Sequence, residues 1–472
     1  MVRASHQSTT ARPSLILRVV LAAVAAVTVV GGAPGATAAS TSDWPAYLFG
    51  PGHPSLGPSA AITASNVGSL VKQWTFKAAA PTMTGQPRAA FAASPTVYGS
   101  RIYIGSVTGV FYALDRNTGA VDWSRFLGFV TKKTCNARGI TATATVAPDP
   151  VSGAPIVYIA GGDGYLYALN AATGATKWRS VIAIPSTTES DYYDWSSPTV
   201  ANGSVYIGVS SQCDAPLVRA GVKKYDQTTG ALQATYYSTP AGTVGASVWS
   251  SVAATGTAAF ATTGNGKYGD SFSIVRLRSD TLVRTAKYTV PGSERSGDSD
   301  FGASPTIFAA GTTQMVGACN KNGFYYAVRA SDLALKWKVK IAQGSNNGAL
   351  ACLAAAAWDG SRLYMAGPAT TIGGVDYRGS IRALDPSTGA PIWERGLGGG
   401  VIGSPSLNGA NVLAVPIWDS SGGNGVYLVN ATNGAILRFF PGTVTWAQPT
   451  FAGDQLFIAN YAGNTLTSWH LP

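Results

Sequence analysis

Two stretches of the chain contain side chains that could take part in proton transfer or ligand binding. Trp249 and Asn265 lie in the first stretch, SVWSSVAATGTAAFATTGNG. Asp300 and Lys321 lie in the second, which runs from DSDFG to CNKNG. A carboxylate can act as a base or bind a hard cation, an amide oxygen is also a hard ligand, and an ammonium group stabilises negative charge. These residue types suit a reactive site if the fold brings them together.

Other catalytic arrangements have little support in the sequence. The only histidines are His6, His53 and His470, and neither a GxSxG elbow nor a P-loop is present. A Ser-His-Asp triad would need a histidine near one chain end, and a lyase or hydrolase site has no obvious histidine. Because CxxC and CxxCH spacings are missing, we expect no zinc site and no haem.

The elements that must position these residues repeat along the chain. The clearest copy, SPTVYGSRIYIGSVTGVFYALDRNTGAVDW, contains four short alternating strands. Eight copies begin near Ser94, Thr145, Ser197, Ser251, Ser304, Ala356, Ser404 and Gln448. Four strands per unit at a period of about 50 residues are typical of β-propeller blades. The sequence predicts an all-β fold, an eight-bladed β-propeller of four-stranded blades.

The last repeat is too short to supply its own outer strand. The segment VKQWTFK, residues 71–77, resembles the final Trp-containing strand of a blade. We therefore predict that this N-terminal strand closes the ring and removes an exposed sheet edge. In the clearest repeats, a Thr-Gly turn precedes the closing Trp, which we expect to pack between neighbouring blades.

The N-terminal region is predicted to be a signal peptide, residues 1–38, followed by a single propeller domain, residues 39–472. Three arginines precede the apolar run VVLAAVAAVTVV, and Ala36-Thr37-Ala38 offers a cleavage pattern. We expect a secreted, extracellular protein with no membrane span after cleavage. Association with the cell wall is one option for its location. Cleavage removes three arginines and no acid, so the formal charge falls from +11 to +8. The remaining cations are scattered, which argues against nucleic acid as a partner.

Four cysteines lie in the predicted exported part, and their even number favours two disulfides. Three pairings are possible in principle. We favour Cys135–Cys213 and Cys319–Cys352, because the repeat register places the members of each pair in neighbouring units.

The Trp-closed repeats, the segment DWPAYLFGPGHPSL and the two polar stretches resemble the pyrroloquinoline-quinone (PQQ) dehydrogenases, most closely the polyvinyl-alcohol-dehydrogenase-like branch. The resemblance covers nearly all of the predicted mature chain. It implies that PQQ lies over Trp249 and that Lys321 contacts the quinone oxygens. It also implies that Asn265 and Asp300 are calcium ligands and that Asp300 is the general base.

The chain departs from the family pattern in its third repeat. The family supplies a calcium-binding Glu from this loop, whereas the loop here contains Gln212 and Asp214 around Cys213. Asp214 is the carboxylate that could take the place of the Glu. The vicinal Cys-Cys pair of some family members is missing as well.

The resemblance predicts a monomeric quinoprotein-like dehydrogenase that oxidises an alcohol with PQQ and calcium. A polymeric alcohol is one option for the substrate. Electrons would pass to a separate acceptor. The alternative is a non-catalytic extracellular propeller that binds a polymer or a protein partner.

Overall fold

The eight sequence repeats fold into eight antiparallel sheets in a computed structural model, which describes residues 42–295, 298–345 and 351–472. The prediction of an all-β, eight-bladed propeller is confirmed. The predicted signal peptide lies outside the described residues. Within the described residues, the structure contains no helix with the length and apolar character needed to cross a membrane.

The strands are numbered in chain order, and each blade runs from an inner to an outer strand. Blade one comprises β2 (Thr96–Tyr98), β3 (Arg101–Gly105), β4 (Val110–Asp115) and β5 (Val121–Phe126). Blade two comprises β6 (Thr145–Pro148), β7 (Pro155–Ala160), β8 (Tyr165–Asn170) and β9 (Thr176–Val181). Blade three comprises β11 (Thr199–Ala201), β12 (Ser204–Ser211), β13 (Gly221–Asp226) and β14 (Leu232–Tyr237), and a short β10 (Tyr192–Tyr193) also pairs with β12. Blade four comprises β15 (Ala253–Ala254), β16 (Ala258–Thr262), β17 (Ser273–Arg278) and β18 (Arg284–Thr289).

The second half of the ring follows the same order. Blade five comprises β19 (Thr306–Ala310), β20 (Thr313–Cys319), β21 (Phe324–Arg329) and β22 (Leu335–Lys340). Blade six comprises β23 (Ala357–Trp358), β24 (Leu363–Ile372), β25 (Val375–Leu384) and β26 (Pro391–Leu397). Blade seven comprises β27 (Ser406–Leu407), β28 (Val412–Ile417), β29 (Gly425–Asn430) and β30 (Ile436–Pro441). Blade eight comprises β31 (Thr450–Ala452), β32 (Gln455–Asn460), β33 (Thr465–His470) and β1 (Val71–Lys77). Two short 3-10 turns span Val67–Ser69 and Gly292–Glu294.

The N-terminal strand closes the ring, as predicted. Strand β1 pairs antiparallel with β33, from Val71 opposite His470 to Lys77 opposite Thr465, with one irregularity between Lys72 and Trp74. The pairing satisfies the backbone groups of β33, which would otherwise form an exposed edge.

Glycine and tryptophan lock neighbouring blades together at the outer strands. Gly174 has φ +67°, and a Cβ there would lie 2.5 Å from the Trp123 ring of the preceding blade. The Trp123 Nε1 donates to the carbonyl of Ala171 at 3.1 Å. The same glycine-on-indole contact occurs at Gly119 on Trp74, Gly230 on Trp178, Gly389 on Trp337 and Gly434 on Trp393. Only glycine leaves room for the indole at this turn, which explains the Thr-Gly signature of the repeat.

Hydroxyl groups of the inner strands connect the blades around the axis. The Thr96 Oγ1 donates to the Ala144 carbonyl of the next blade at 2.7 Å, and the Thr450 Oγ1 donates to the Pro95 carbonyl at 2.9 Å across the closing junction. The backbone N–H of Gln448 donates to Ser94 Oγ across that same junction. The recurring Ser-Pro-Thr phrase is therefore a blade-to-blade connector, because both hydroxyls satisfy backbone groups of a neighbour.

The axial segment, residues 43–56, crosses the propeller axis at the end opposite the loops that carry the polar stretches. Its carbonyls accept hydrogen bonds from inner strands of several blades, such as Val146 N–H to Pro45 O and Trp358 N–H to Pro54 O. The ring of His53 is buried, with Nδ1 2.9 Å from the Pro305 carbonyl, and burial lowers the pKa of His53 to about 4. The axial segment thus closes one end of the central channel.

The two disulfides are Cys135–Cys213 and Cys319–Cys352, with Cα atoms 6.2 Å and 5.6 Å apart. This pairing agrees with the prediction from the repeat register. Each bond joins neighbouring parts of the ring close to a polar stretch, because Cys213 precedes Asp214 and Cys319 lies two residues before Lys321.

Candidate functional site

The predicted site residues emerge on one face of the propeller, called here the upper face. Asp214, Asn265 and Lys321 lie in the loops that follow the second strands of blades three, four and five. Trp249 and Asp300 lie just before the inner strands of blades four and five. Loops of these two kinds leave a blade on the same side, so the antiparallel repeat itself brings the residues to one face.

Asp300 is the centre of a polar cluster with Trp249 and Lys321. The Trp249 Nε1 donates to Asp300 Oδ2 at 3.1 Å, and the Lys321 Nζ lies 2.6 Å from Asp300 Oδ1. The Lys321 backbone N–H also donates to the Asp300 carbonyl at 3.0 Å. The Lys321 ammonium lies 5.3 Å from the centroid of the Trp249 ring, within the range of a cation–π contact.

Asp298 belongs to the cluster although the sequence reasoning assigned it no role. The Lys321 Nζ donates to Asp298 Oδ2 at 2.8 Å, and the Asn265 Nδ2 donates to Asp298 Oδ1 at 3.1 Å. The spacing of Asp298 and Asp300 could have indicated that Asp298 belongs to the site, because residues i and i+2 of an extended segment point to the same side. Asp298 therefore links the Asn265 amide to the Lys321 ammonium.

Burial controls the charge state of Asp300. The residue is 2% exposed, and burial raises its pKa to about 6, while the Lys321 ammonium opposes the rise and the Asp298 carboxylate adds to it. Burial by itself would lower the pKa of Lys321, but the Asp300 and Asp298 carboxylates raise it, so the ammonium stays charged. A carboxylate with a pKa near 6 is ionised at neutral pH and still basic enough to accept a proton.

The oxygen of Asn265 is the best candidate ligand for a cation. Its Oδ1 is buried and accepts no hydrogen bond, which is unusual for a buried amide oxygen. Asp214 lines a cavity of about 260 Å³ together with Asp298, Asp300 and Lys321. Burial raises the pKa of Asp214, the Asp298 carboxylate adds to the rise, and the Lys321 ammonium opposes it. An unpartnered oxygen beside carboxylates suits a hard cation such as calcium.

The carboxylates alone do not form a ready metal cage. Among the described residues, no group of three or more His, Cys, Asp or Glu side chains is arranged to hold a metal ion. The Lys321 ammonium instead bridges Asp298 and Asp300. The donor set for calcium therefore consists of one amide oxygen and carboxylates that a lysine partly neutralises.

An aromatic cavity of about 540 Å³ lies on the propeller axis next to this cluster. Trp195, Trp249 and Trp446 contribute to its wall, and Tyr47 of the axial segment contributes to its base. Gly302 fixes the position of Trp249, because a Cβ at residue 302 would lie 2.2 Å from Trp249 Cη2. An indole held in this way can support a planar ligand by stacking.

The Asp214 loop is held in place from two sides. The Cys135–Cys213 disulfide ties it to the segment that follows blade one, and the Gln212 Nε2 donates to the Asn136 carbonyl at 2.7 Å. The Asp214 N–H donates to Ser211 Oγ at 2.8 Å. The disulfide and the two hydrogen bonds thus anchor this loop in the cavity wall.

Two family models match separate parts of the chain. The family described as the glucose/ethanol/alcohol dehydrogenase β-propeller domain matches residues 44–265, and the family described as outer membrane protein assembly factor BamB matches residues 326–450. No curated protein matches the chain. The first match contains Trp249 and Asn265.

Solved structures share the fold at low sequence identity. The quinohemoprotein alcohol dehydrogenase of Comamonas testosteroni is 18% identical, with a TM-score of 0.69, over 92% of this chain and 81% of that chain. A europium-containing methanol dehydrogenase is 17% identical, with a TM-score of 0.67, over 89% of each chain. BamB from Moraxella catarrhalis is 15% identical, with a TM-score of 0.55, over 85% of this chain and 99% of that chain. Identities this low establish the shared fold, and the chemistry has to be argued from the site.

Proposed function

We propose that this chain, a PQQ-like β-propeller with the fold of quinoprotein dehydrogenases, oxidises an alcohol with bound PQQ and calcium. The comparisons support the coarser part, the quinoprotein dehydrogenase fold. Calcium, a polymeric substrate of the polyvinyl-alcohol type and a separate electron acceptor are further parts of the proposal.

PQQ and calcium each have a proposed position among the cavity residues. Trp249 would support the flat face of PQQ, and the Lys321 ammonium would contact the quinone oxygens. Asn265 Oδ1, with Asp300 and Asp214, would hold calcium. When bound, PQQ supplies the acceptor for the hydride of the alcohol, and calcium supplies positive charge beside it.

The chain itself supplies the base. Asp300 accepts the hydroxyl proton of the alcohol on a carboxylate oxygen, because burial places its pKa at about 6 and leaves it ionised at neutral pH. Trp249 and Lys321 fix the orientation of both oxygens, one contact on each. The Lys321 ammonium also keeps positive charge where negative charge develops on the reduced acceptor.

One observation carries the proposal more than any other. A buried base, Asp300, lies in the same cluster as a buried amide oxygen with no partner, that of Asn265. A structural polar cluster would be expected to satisfy that oxygen internally. An incoming cation would satisfy it and would also offset the negative charge of the nearby carboxylates.

A non-catalytic propeller is the second candidate, and one observation favours it. Lys321 already bridges Asp298 and Asp300, so the cluster contains a cation of its own without a metal ion. The likeness to BamB and to the BamB family supports this alternative as well. In that case the cavity would bind a polymer segment or a partner loop.

Calorimetry and kinetics separate the two candidates. We expect the purified full chain to bind PQQ in calcium buffer and to reduce a dye with alcohols as donors. The Asp300→Asn variant should bind PQQ but lose about 10²- to 10⁴-fold in turnover, whereas Asp332→Asn, in an exposed ion pair with Arg329, should match the parent. Binding without turnover in the parent would favour the second candidate, and equal turnover in Asp300→Asn would exclude Asp300 as the base.

We also propose export as the cellular context. Two disulfides between distant residues support an oxidising compartment. Mass spectrometry of the protein in the culture medium of its source would test this, with a mature N-terminus near residue 39 as the expected result.

A further inference from the structure

A third cavity opens on the upper face between blades two and three. Its volume is about 220 Å³, and it lies between the end of β9, the start of β13 and the end of β14. Two cations, Arg219 and Lys223, line it, and it shares no lining residue with either cavity of the candidate site.

The two cations lack a salt-bridge partner in the part of the chain that the structure describes. The Arg219 Nε is buried and donates no hydrogen bond, which costs free energy. The Lys223 Nζ donates to the Ile182 carbonyl at 2.6 Å, which leaves two of its three hydrogens for a ligand.

The guanidinium group of Arg219 is held in a fixed orientation. Its Cζ lies 3.6 Å from the centroid of the Tyr237 ring, so the two planes are in contact. Stacking on one face leaves the edges of the guanidinium to donate hydrogen bonds, and this planar fork matches the two oxygens of a carboxylate.

Neither Asp191 nor Asp194 is among the residues that line the cavity. Asp194 is 4% exposed and both of its oxygens lack a hydrogen-bond partner; burial raises its pKa well above the ordinary value, and the Lys223 ammonium opposes the rise. Asp191 has its Oδ1 engaged by the Ser186 N–H at 2.8 Å. Arg219 and Lys223 are therefore the charged side chains of the cavity lining.

The rest of the wall is largely apolar, with Val181, Ile182 and Val209 among its residues. A bare inorganic anion would leave this wall in contact with water, whereas a ligand with a short carbon body would cover it. We propose that this cavity is a binding site for a small organic carboxylate, held by Arg219 and Lys223 through its charged end and by the apolar wall through its body.

Calorimetric titration of the full chain with sodium butyrate tests the site. We expect butyrate to bind, butyramide of the same shape to bind at least tenfold more weakly, and inorganic phosphate to bind more weakly than butyrate. Arg219→Gln should weaken butyrate binding at least tenfold. Arg276→Gln is the matched control, since its Nε is also buried without a partner but lies outside this cavity.

A crystal soaked with 4-bromobutyrate locates the ligand independently of the variants. The anomalous signal of bromine should lie in the cavity between blades two and three. Bromine in the axial cavity only, no binding of butyrate, or unchanged binding by Arg219→Gln would each overturn the proposal. Phosphate binding as tight as butyrate binding would overturn the organic class of the ligand.

Discussion

The indole Nε1 of Trp249 lies 3.1 Å from Asp300 Oδ2, so the aromatic residue that would support a planar ligand also donates to the buried carboxylate that we propose as the base. The two residues precede the inner strands of neighbouring blades, 51 positions apart in sequence. This hydrogen bond lowers the pKa of Asp300 against the larger effect of burial. In the proposed mechanism, this one contact would therefore couple ligand support to proton transfer.

The first prediction concerns this hydrogen bond. Trp249→Phe keeps an aromatic ring but removes the donor, so the pKa of Asp300 should rise above its value of about 6. Activity falls as pH falls through this pKa, because the base becomes protonated, and the midpoint of the acid limb should move upward by up to about one pH unit. The pH profile of dye reduction measures this. Trp195→Phe is the control, since its Nε1 donates to the Gln212 carbonyl, and an equal shift in both variants would contradict the assignment.

The second prediction concerns Lys321. Lys321→Met leaves Asp298 and Asp300 close together without their cation, and we expect a loss of about 3–5 kcal/mol in the free energy of unfolding at pH 7. The double variant Asp300→Asn/Lys321→Met should recover part of this loss, because the buried unpaired charge is gone. Urea unfolding measures both values.

The pH dependence of the same variant has a defined sign. Without the ammonium, the pKa of Asp300 rises further above its unfolded value of 3.8, so the folded state binds more protons than the unfolded state. The stability of Lys321→Met should therefore fall as pH rises from about 4 through and beyond 6. Stability that increases over this range would contradict the burial of an unpaired carboxylate.

The third prediction concerns the unpartnered amide oxygen. Asn265→Ala should weaken calcium binding about tenfold or more, since an interaction with a charged group is worth about 1.5–3 kcal/mol. Calorimetric titration with calcium chloride measures the change, and Asn433→Ala, in an exposed turn of blade seven, is the control. Calcium affinity that is equal in the two variants would exclude Asn265 as a ligand.

The fourth prediction concerns the disulfide beside Asp214. Replacing Cys135 and Cys213 by alanine opens a loop of 78 residues, and we expect a loss of about 2–4 kcal/mol in the free energy of unfolding. Calcium binding should weaken too, because Asp214 loses its nearest covalent anchor. Guanidinium unfolding and calcium titration follow the two effects, and an unchanged calcium affinity would show that the disulfide does not position Asp214 for calcium.

The fifth prediction separates two reasons for glycine in the repeat. Gly174 and Gly153 both have positive φ, +67° and +71°, but a Cβ at 174 would meet Trp123 whereas a Cβ at 153 would meet open space. Gly153→Ala should cost about 1 kcal/mol through backbone strain alone. Gly174→Ala should cost about 1–3 kcal/mol more, because the Trp123 indole must move. Equal unfolding temperatures for the two variants would contradict the interblade lock.

The sequence by itself determined the number of blades, the closing strand and the disulfide pairing. These features follow from a regular period, because a strand pattern that recurs every blade fixes which residues are inner, outer or in neighbouring units. It also brought Trp249, Asn265, Asp300 and Lys321 to one face, since equivalent loops of an antiparallel blade leave on the same side. The resemblance to the PQQ dehydrogenases then suggested a role for each residue.

Only the tertiary structure decided which side chains touch. Asp298, to which the sequence analysis assigned no role, accepts hydrogen bonds from both Asn265 and Lys321. The Thr-Gly-Asn sequence also gave no sign that the Asn265 oxygen lacks a hydrogen-bond partner. The sequence also did not show that the axial segment pairs with the inner strands, or that Arg219 and Lys223 line one cavity. Such contacts depend on the path of irregular loops and on burial between blades, neither of which has a period that a sequence pattern can display.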